Sequence, residues 1–299
     1  MVVTVMTFPT ASLFTQHYTD YLLRSLQGPI PHNDSELLRY IRDEVLHEPS
    51  SEPYNLLGEN SLASRLRVES ELFYNKSLRA IFKDKRDGFF VEAGALDGET
   101  MSNTLWLEVE QGWTGLLVEA DSAAFLALNT KYRRAWAANV CLSPDPYPSK
   151  EIFNQLPHYS GPSAVPIGYK IRAMNSLLKF SPDTVRTLGL EGFNEILGNS
   201  WFEMIQCLPL ESILLAMGVR QVDLLVLDVE GAEMAILGHF DLRQFNVQVL
   251  CIEWKHRSEL DSVSQKFSQR GYKEVARAKE DLILVKQDSP YTHVKLMAH

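Results

Sequence analysis

The chain has 299 residues, 45% hydrophobic and 22% charged, with a formal net charge of −9. That length buries the core of one large α/β domain, or of one domain with appendages, and the acidic balance argues against partners held through phosphates, whether nucleic acid or an anionic membrane surface. Residues 1–14 are apolar but follow no basic residue and are broken by Pro9, so they read as neither a secretory leader nor a membrane span. Cys141, Cys207 and Cys251 stand far apart without metal-ligand spacing. Such usage suits buried thiols in a reducing cytoplasm better than a disulfide frame.

In chain order, residues 18–26 and 35–46 carry helical patterning. In the second, Asp34 or Ser35 serves as cap, and Leu38, Ile41 and Val45 recur at helical spacing. Residues 47–60, with Pro49, Pro53 and Gly58, read as a loop and 63–82 as a helix. From Gly88 the character changes. A strand is expected over 89–92, a helix over 103–110, a strand over 114–119, a helix over 122–131 and a strand over 135–141. The proline-rich residues 144–199 interrupt the pattern and read as an insertion with little regular structure before Ser181. Alternation resumes with a strand end and helix over 208–217, a strand over 223–228, a helix over 232–240, a strand over 247–254 and a helix over 258–269. Residues 272–276 and 282–286 form a closing hairpin. Strands alternating with helices predict right-handed βαβ units in a mostly parallel sheet covered on both faces. The hairpin adds an antiparallel strand at one edge. The reading divides the chain into a helical segment, 1–85, that covers the site, and a main domain, 86–299, with the insertion at about 144–200.

Chemistry concentrates at strand ends. The run from Phe89 to Gly98 is an apolar strand that ends in Glu92 and a loop in which Gly94 and Gly98 flank Ala95, Leu96 and Asp97. Glycines there permit a tight turn and close approach of backbone to ligand. The spacing does not match the dinucleotide pattern GxGxxG. It suits a cofactor without pyrophosphate but with a charged amino-acid tail, because a carboxylate accepts from an ammonium and loop amides donate to a carboxylate. The next strand ends in Glu119-Ala120-Asp121, at the separation where a doubly wound fold offers an acid to ribose hydroxyls. Glu119 is the expected ribose acceptor; for Asp121, helix capping and ligand contact weigh equally. The run Val222 to Glu233 then places Asp228 and Glu230 where another buried strand opens.

The segment Asp228-Val229-Glu230-Gly231-Ala232-Glu233 resembles the hallmark of FkbM-type methyltransferases, and Phe90–Gly98 and Leu117–Asp121 look like that family's first two motifs. The stretch Phe89–Glu108 looks especially like an arthropod branch. The resemblance spans 88–286. It implies a Rossmann-like methyltransferase fold with a seven-stranded, mostly parallel sheet and one antiparallel edge strand, S-adenosylmethionine as cofactor, and methyl transfer to oxygen. On matching positions it puts Glu92, Gly94, Ala95 and Gly98, with Leu96 and Asp97 between them, at the methionine end, where Ser102 and Asn103 reach from the helix start. Glu119 and Ala120 go to the ribose, Cys141, Leu142 and Ser143 to adenine, and Asp228 and Glu230 to the sulfonium and the acceptor. No metal ligand is expected, although a divalent ion between Asp228 and Glu253 is chemically conceivable.

An alcohol or phenol must lose a proton as it is methylated, and Asp228, Glu253 and His256 are the candidate bases. Lys255 is placed to stabilise a phenolate, with Trp254, His158 and Tyr159 as further acceptor contacts. Tyr54, Phe73, Tyr74, Tyr169, Trp201 and Phe202 are candidate cleft covers. The favoured activity is O-methylation of a small molecule, phenolic by preference. The alternatives are methylation of a sugar hydroxyl, and a binding or trafficking module that keeps the fold without transfer. Relatives of the latter kind carry a membrane anchor, as the resemblance implies, and none is expected here.

Overall fold

The central strands are near-continuous apolar runs, which suit strands covered on both faces. The computed structural model describes residues 29–57, 72–155, 175–180, 201–254 and 256–292. Its strands are β1 (Leu46–His47), β2 (Phe89–Ala93), β3 (Thr114–Val118), β4 (Trp136–Ala138), β5 (Cys141–Leu142), β6 (Ser149–Gln155), β7 (Ser176–Leu177), β8 (Trp201–Leu208), β9 (Leu224–Leu227), β10 (Val249–Glu253), β11 (Tyr272–Ala278) and β12 (Asp281–Lys286). Seven α-helices lie among the described residues.

The main sheet has the order β1-β4-β3-β2-β9-β10-β12-β11. Strands β4, β3, β2, β9 and β10 are parallel, β1 runs antiparallel to β4, and β12 runs antiparallel to both β10 and β11. The expectation of seven strands with one antiparallel edge strand is therefore corrected to a mixed sheet of eight. The reversed strand of the hairpin lies one place in from the edge. Leu282, Ile283, Leu284 and Val285 are all fully buried, so β12 takes the covered position and leaves the half-exposed β11 outside. The eighth strand, β1, falls in the stretch read as the end of a helix and the start of a loop.

Alternate strand residues feed two apolar layers. Val91, Leu116, Leu225, Leu250 and Leu284 pack with the helices Leu210–Ala216, Glu233–His239 and Leu260–Gln269. Phe90, Leu117, Leu224, Val249 and Ile283 pack on the other face with the helices Leu72–Phe82, Leu105–Gln111 and Ser122–Asn129.

Helix ends follow local hydrogen bonds. Asp34 caps Ser35–Tyr40, accepting from the amides of Glu36 (3.0 Å) and Leu37 (3.1 Å). The helix widens into a π-turn over Ile41–Val45 before β1, so the expected helix 35–46 is shorter. Arg42 Nε donates to Ala216 O at 3.1 Å and ties this segment to the helix Leu210–Ala216. Residues 18–26 and 63–71 lie outside the described residues.

The insertion is more regular than its prolines suggest. Strands β5, β8, β6 and β7 form a second, four-stranded sheet in that order. The expected strand 135–141 breaks at Asn139, whose amide Nδ2 donates to Glu119 O at 2.9 Å, and Cys141 begins the second sheet. There Cys141 faces Cys207 across β5 and β8, with Cα atoms 4.4 Å apart, and the two form a disulfide. This corrects the reading of all three cysteines as thiols; Cys251 is free and buried. The disulfide closes a stretch with a sequence separation of 66, and in the chain-entropy model its loss costs about 4 kcal/mol. Titration of the denatured chain without reductant is expected to find one thiol; three would remove the bridge from the account.

Candidate active site

Ligands of doubly wound sheets sit beyond the carboxyl ends of the strands where strand order reverses. Here the order reverses between β2 and β9, and a cleft opens there. Its wall includes Glu92, Gly94, Ala95, Leu96, Ser102, Asn103, Glu119, Ala120, Cys141, Leu142, Asp228 and Glu230. The acids from the ends of β2, β3 and β9 thus meet in one place.

Asp97, Gly98 and Ser143, expected among the ligand contacts, are not on that wall. Asp97 holds the turn, its Oδ1 accepting from the amides of Glu99 (3.0 Å) and Thr100 (2.6 Å) and its Oδ2 from Thr100 Oγ1 (2.8 Å). Gly98 lets the loop lie on the helix Ser122–Asn129, since a Cβ there would stand 2.9 Å from Leu128 Cγ. Ser143 Oγ donates to Tyr147 O at 2.8 Å.

Glu92 is buried and organises the loop. Its Oε2 accepts from Ser102 Oγ (2.9 Å) and Thr104 Oγ1 (2.5 Å), and its Oε1 from Asn103 N (2.6 Å). These bonds, with Ser102 Oγ accepting from Leu105 N at 3.2 Å, start the helix at Leu105 rather than 103. Burial raises the Glu92 carboxyl, opposed first by the Arg133 charge. Glu119 bridges two loops, its Oε2 accepting from Leu96 N and its Oε1 from Asp121 N, both at 2.7 Å. Burial pushes its carboxyl up to about 7. Asp121 caps the next helix through Ala123 N (2.8 Å) and Ala124 N (3.2 Å).

The loop after β9 is held from within. Glu233 Oε1 accepts from Val229 N (2.9 Å) and Gly231 N (3.1 Å), while burial, joined by the nearby Glu253, pushes its carboxyl up to about 7. Leu96 (φ 50°), Met101 (φ 59°) and Glu230 (φ 60°) all adopt left-handed backbone and all line the cleft. Non-glycine residues in that region store strain, which gathers at functional sites.

Asp228, Glu230 and Glu253 bring one carboxylate oxygen each within 4.8 Å of the others. Three oxygen ligands so placed are of the kind that a hard cation takes. Glu253 comes from the end of β10, opposite Asp281 on β12. His256 stands beside Trp254, ring centroids 5.0 Å apart, and neither is on the cleft wall. Trp254 is buried, and its Nε1 has no hydrogen-bond partner among the described residues. Tyr74 is buried near Asp281, Glu253 and Asp228; burial and then those charges keep its hydroxyl protonated. Tyr54 instead lies under Arg134, 5.1 Å from its ring, and Trp201 and Phe202 are exposed on β8. His158, Tyr159, Tyr169, Lys255 and the side chain of Phe73 lie outside the described residues.

Sequence reasoning missed Thr100, Met101, Val140, Phe153, Asn175, Leu177 and Val229 on the wall. Phe153, Asn175 and Leu177 belong to the insertion, where β7 has two residues and the last three residues of β6 are all buried, so neither strand shows a clean alternation.

The wall combines polar groups at Glu92, Ser102, Asn103 and Glu119 with apolar ones at Val140, Leu142, Phe153 and Leu177, a mixture usual in small-molecule sites. The fold and cleft define an α/β protein with a ligand site at the switch point of its sheet. Residues 92–274 match the family model described as the methyltransferase FkbM domain, and the chain belongs to that family. No curated protein gives a significant match. No helix among the described residues is long and apolar enough to cross a membrane.

Proposed function

We propose that the chain is an S-adenosylmethionine-dependent O-methyltransferase acting on a hydroxyl of a small molecule, with a phenolic acceptor favoured. One observation carries the reading: Glu92, Glu119 and Asp228, from three strand ends, line a single cleft. When bound, the cofactor supplies an electrophilic methyl group on a positive sulfur. The chain's own part is to align that group with the acceptor and take the acceptor's proton. Glu119 holds the ribose hydroxyls, and the loop around Gly94 and Ala95 faces the amino-acid tail. Asp228 is the preferred base, because it lines the cleft at the end of β9. Glu253 and His256 are the alternative bases in this reading, Lys255 serves the acceptor side, and the segment before residue 86 is the cover. The test is transfer of labelled methyl to a panel of phenols, alcohols and sugars. Transfer to a phenol that Asp228→Asn slows at least roughly a hundredfold supports the reading. Cofactor binding with no transfer to any class would favour the binding module.

Ribose binding predicts a pH signature. A carboxyl raised to about 7 is mostly protonated at pH 6, and the ionised form is the better acceptor for hydroxyls. Affinity for S-adenosylhomocysteine should rise up to about tenfold between pH 6 and 8, and Glu119→Gln should flatten the rise. The same shift acts oppositely on folding. The folded state keeps this proton to higher pH than the unfolded chain, so the contribution to stability is largest below about pH 4.5 and is lost as pH climbs through 7. The cytoplasmic location expected from three free thiols loses that support with the Cys141–Cys207 bridge, which suits an oxidising compartment better.

A further inference from the structure

The sequence holds two Asn-X-Ser triplets, Asn33-Asp34-Ser35 and Asn75-Lys76-Ser77. Such a triplet carries an N-linked glycan where its carboxamide reaches solvent and a bulky sugar has room, on the surface of a protein from the secretory route. The structure separates the two. Asn33 is the third residue of the turn Pro31–Asp34, closed by Asp34 N donating to Pro31 O at 3.1 Å. Ser212 Oγ donates to His32 O at 2.7 Å and pins that turn to the body of the protein. Asn33 and Ser35 are both exposed, while Asp34 between them caps the helix Ser35–Tyr40. Asn75 instead lies within the helix Leu72–Phe82, its Oδ1 accepting from Arg79 Nε at 2.6 Å, and Ser77 is only 6% exposed. The first triplet presents both of its groups to solvent; the second has one in a hydrogen bond and the other buried.

A separate observation concerns the compartment. The bridge between Cys141 and Cys207 suits an oxidising environment, the kind in which secreted proteins fold. We propose that Asn33 is a site of N-linked glycosylation and that the donor is a lipid-linked oligosaccharide diphosphate. The carboxamide nitrogen of Asn33 attacks the anomeric carbon of the donor. A carbon–nitrogen bond forms, the bond from that carbon to the phosphate oxygen breaks, and the lipid diphosphate leaves with the electron pair. The nitrogen gives up one proton to the transferase. Asn33 is not on the cleft wall, and this site is independent of the cofactor reading.

The test uses the protein isolated from the organism that makes it. Peptide N-glycosidase in heavy-oxygen water turns a glycosylated asparagine into an aspartate that carries a heavy oxygen, and mass spectrometry reads the tryptic peptide Ser25–Arg39. The expected result is labelled aspartate at position 33 in most copies, with Asn75 unlabelled. An unmodified Asn33, or a label at Asn75 in its place, would overturn the proposal. Ser35→Ala, expressed in the same cells, keeps Asn33 and the Asp34 cap but breaks the triplet, so the label should be lost; Ser35→Thr should keep it. A label that survives Ser35→Ala would equally overturn the proposal. The wild-type measurement needs no variant, so the outcome does not depend on whether a substituted protein folds.

Discussion

Gly94→Ala is expected to destabilise the protein by roughly 4 kcal/mol or more, among the largest effects a single methyl can have. Gly94 has φ +85°, and a Cβ built there overlaps the main-chain carbonyl oxygen of Asp228. Backbone cannot swing aside as a side chain can. Asp228 N also donates to Ala93 O at 3.1 Å, so the clash falls where β2 and β9 leave the sheet together. Gly98→Ala is the contrast. Its φ is +73°, but the nearest atom is Leu128 Cγ at 2.9 Å, a side chain that can shift. Its expected cost is roughly 1–2 kcal/mol. Thermal melts of the two variants check the difference, and a Gly94→Ala protein within about 1 kcal/mol of wild type would contradict the close approach on which the cleft geometry depends.

Arg133→Met should cost about 3–5 kcal/mol, because it leaves a buried carboxylate without its cation. Arg133 Nε lies 3.0 Å from Glu108 Oε2, with side chains 2% and 0% exposed. Its other nitrogens reach Gly98 O, Ser102 Oγ and Thr104 Oγ1. Lysine offers no fork of that shape, so Arg133→Lys should recover little. Arg133 also supplies the charge that most opposes the upward shift of Glu92. The variant should therefore shift the Glu92 carboxyl further upward and loosen the 102–104 turn that Glu92 holds. The pair Arg79–Glu110 serves as control: it is 42% and 50% exposed, and Arg79→Met should cost under about 1 kcal/mol. Denaturant unfolding separates the two cases.

The parallel core and its acid-tipped ends were legible because both follow from pattern. Runs such as Leu224–Leu227 are apolar at every position, and Glu92, Glu119 and Asp228 close such runs. The second sheet was not legible. In β8 Trp201, Phe202, Glu203 and Met204 are all exposed, so alternation is lost where half the strand lies outside the core. Strand β1 is two residues long and held by two register partners, Ala138 and Ala137, a pairing that local sequence does not encode. Of the motif acids, Glu233 carries a role that spacing alone hid: it satisfies the amides of its own loop. Asp97 and Gly98 read as ligand contacts because loop-shaping and ligand-binding residues have the same composition. The meeting of Glu253 with Asp228 was legible from the expected neighbouring of β9 and β10, but that Glu230 joins them was not.

The most direct test is a thermal melt of the whole protein with and without S-adenosylhomocysteine. A ligand that binds only the native state at a hundred times its dissociation constant stabilises by about 2.7 kcal/mol. For a protein of this size that corresponds to a rise of roughly 5–10 °C in Tm, smaller in Glu119→Ala at the same concentration. An unchanged Tm at millimolar ligand, in a protein that melts cooperatively, would contradict a nucleoside site built from the ends of β2, β3 and β9.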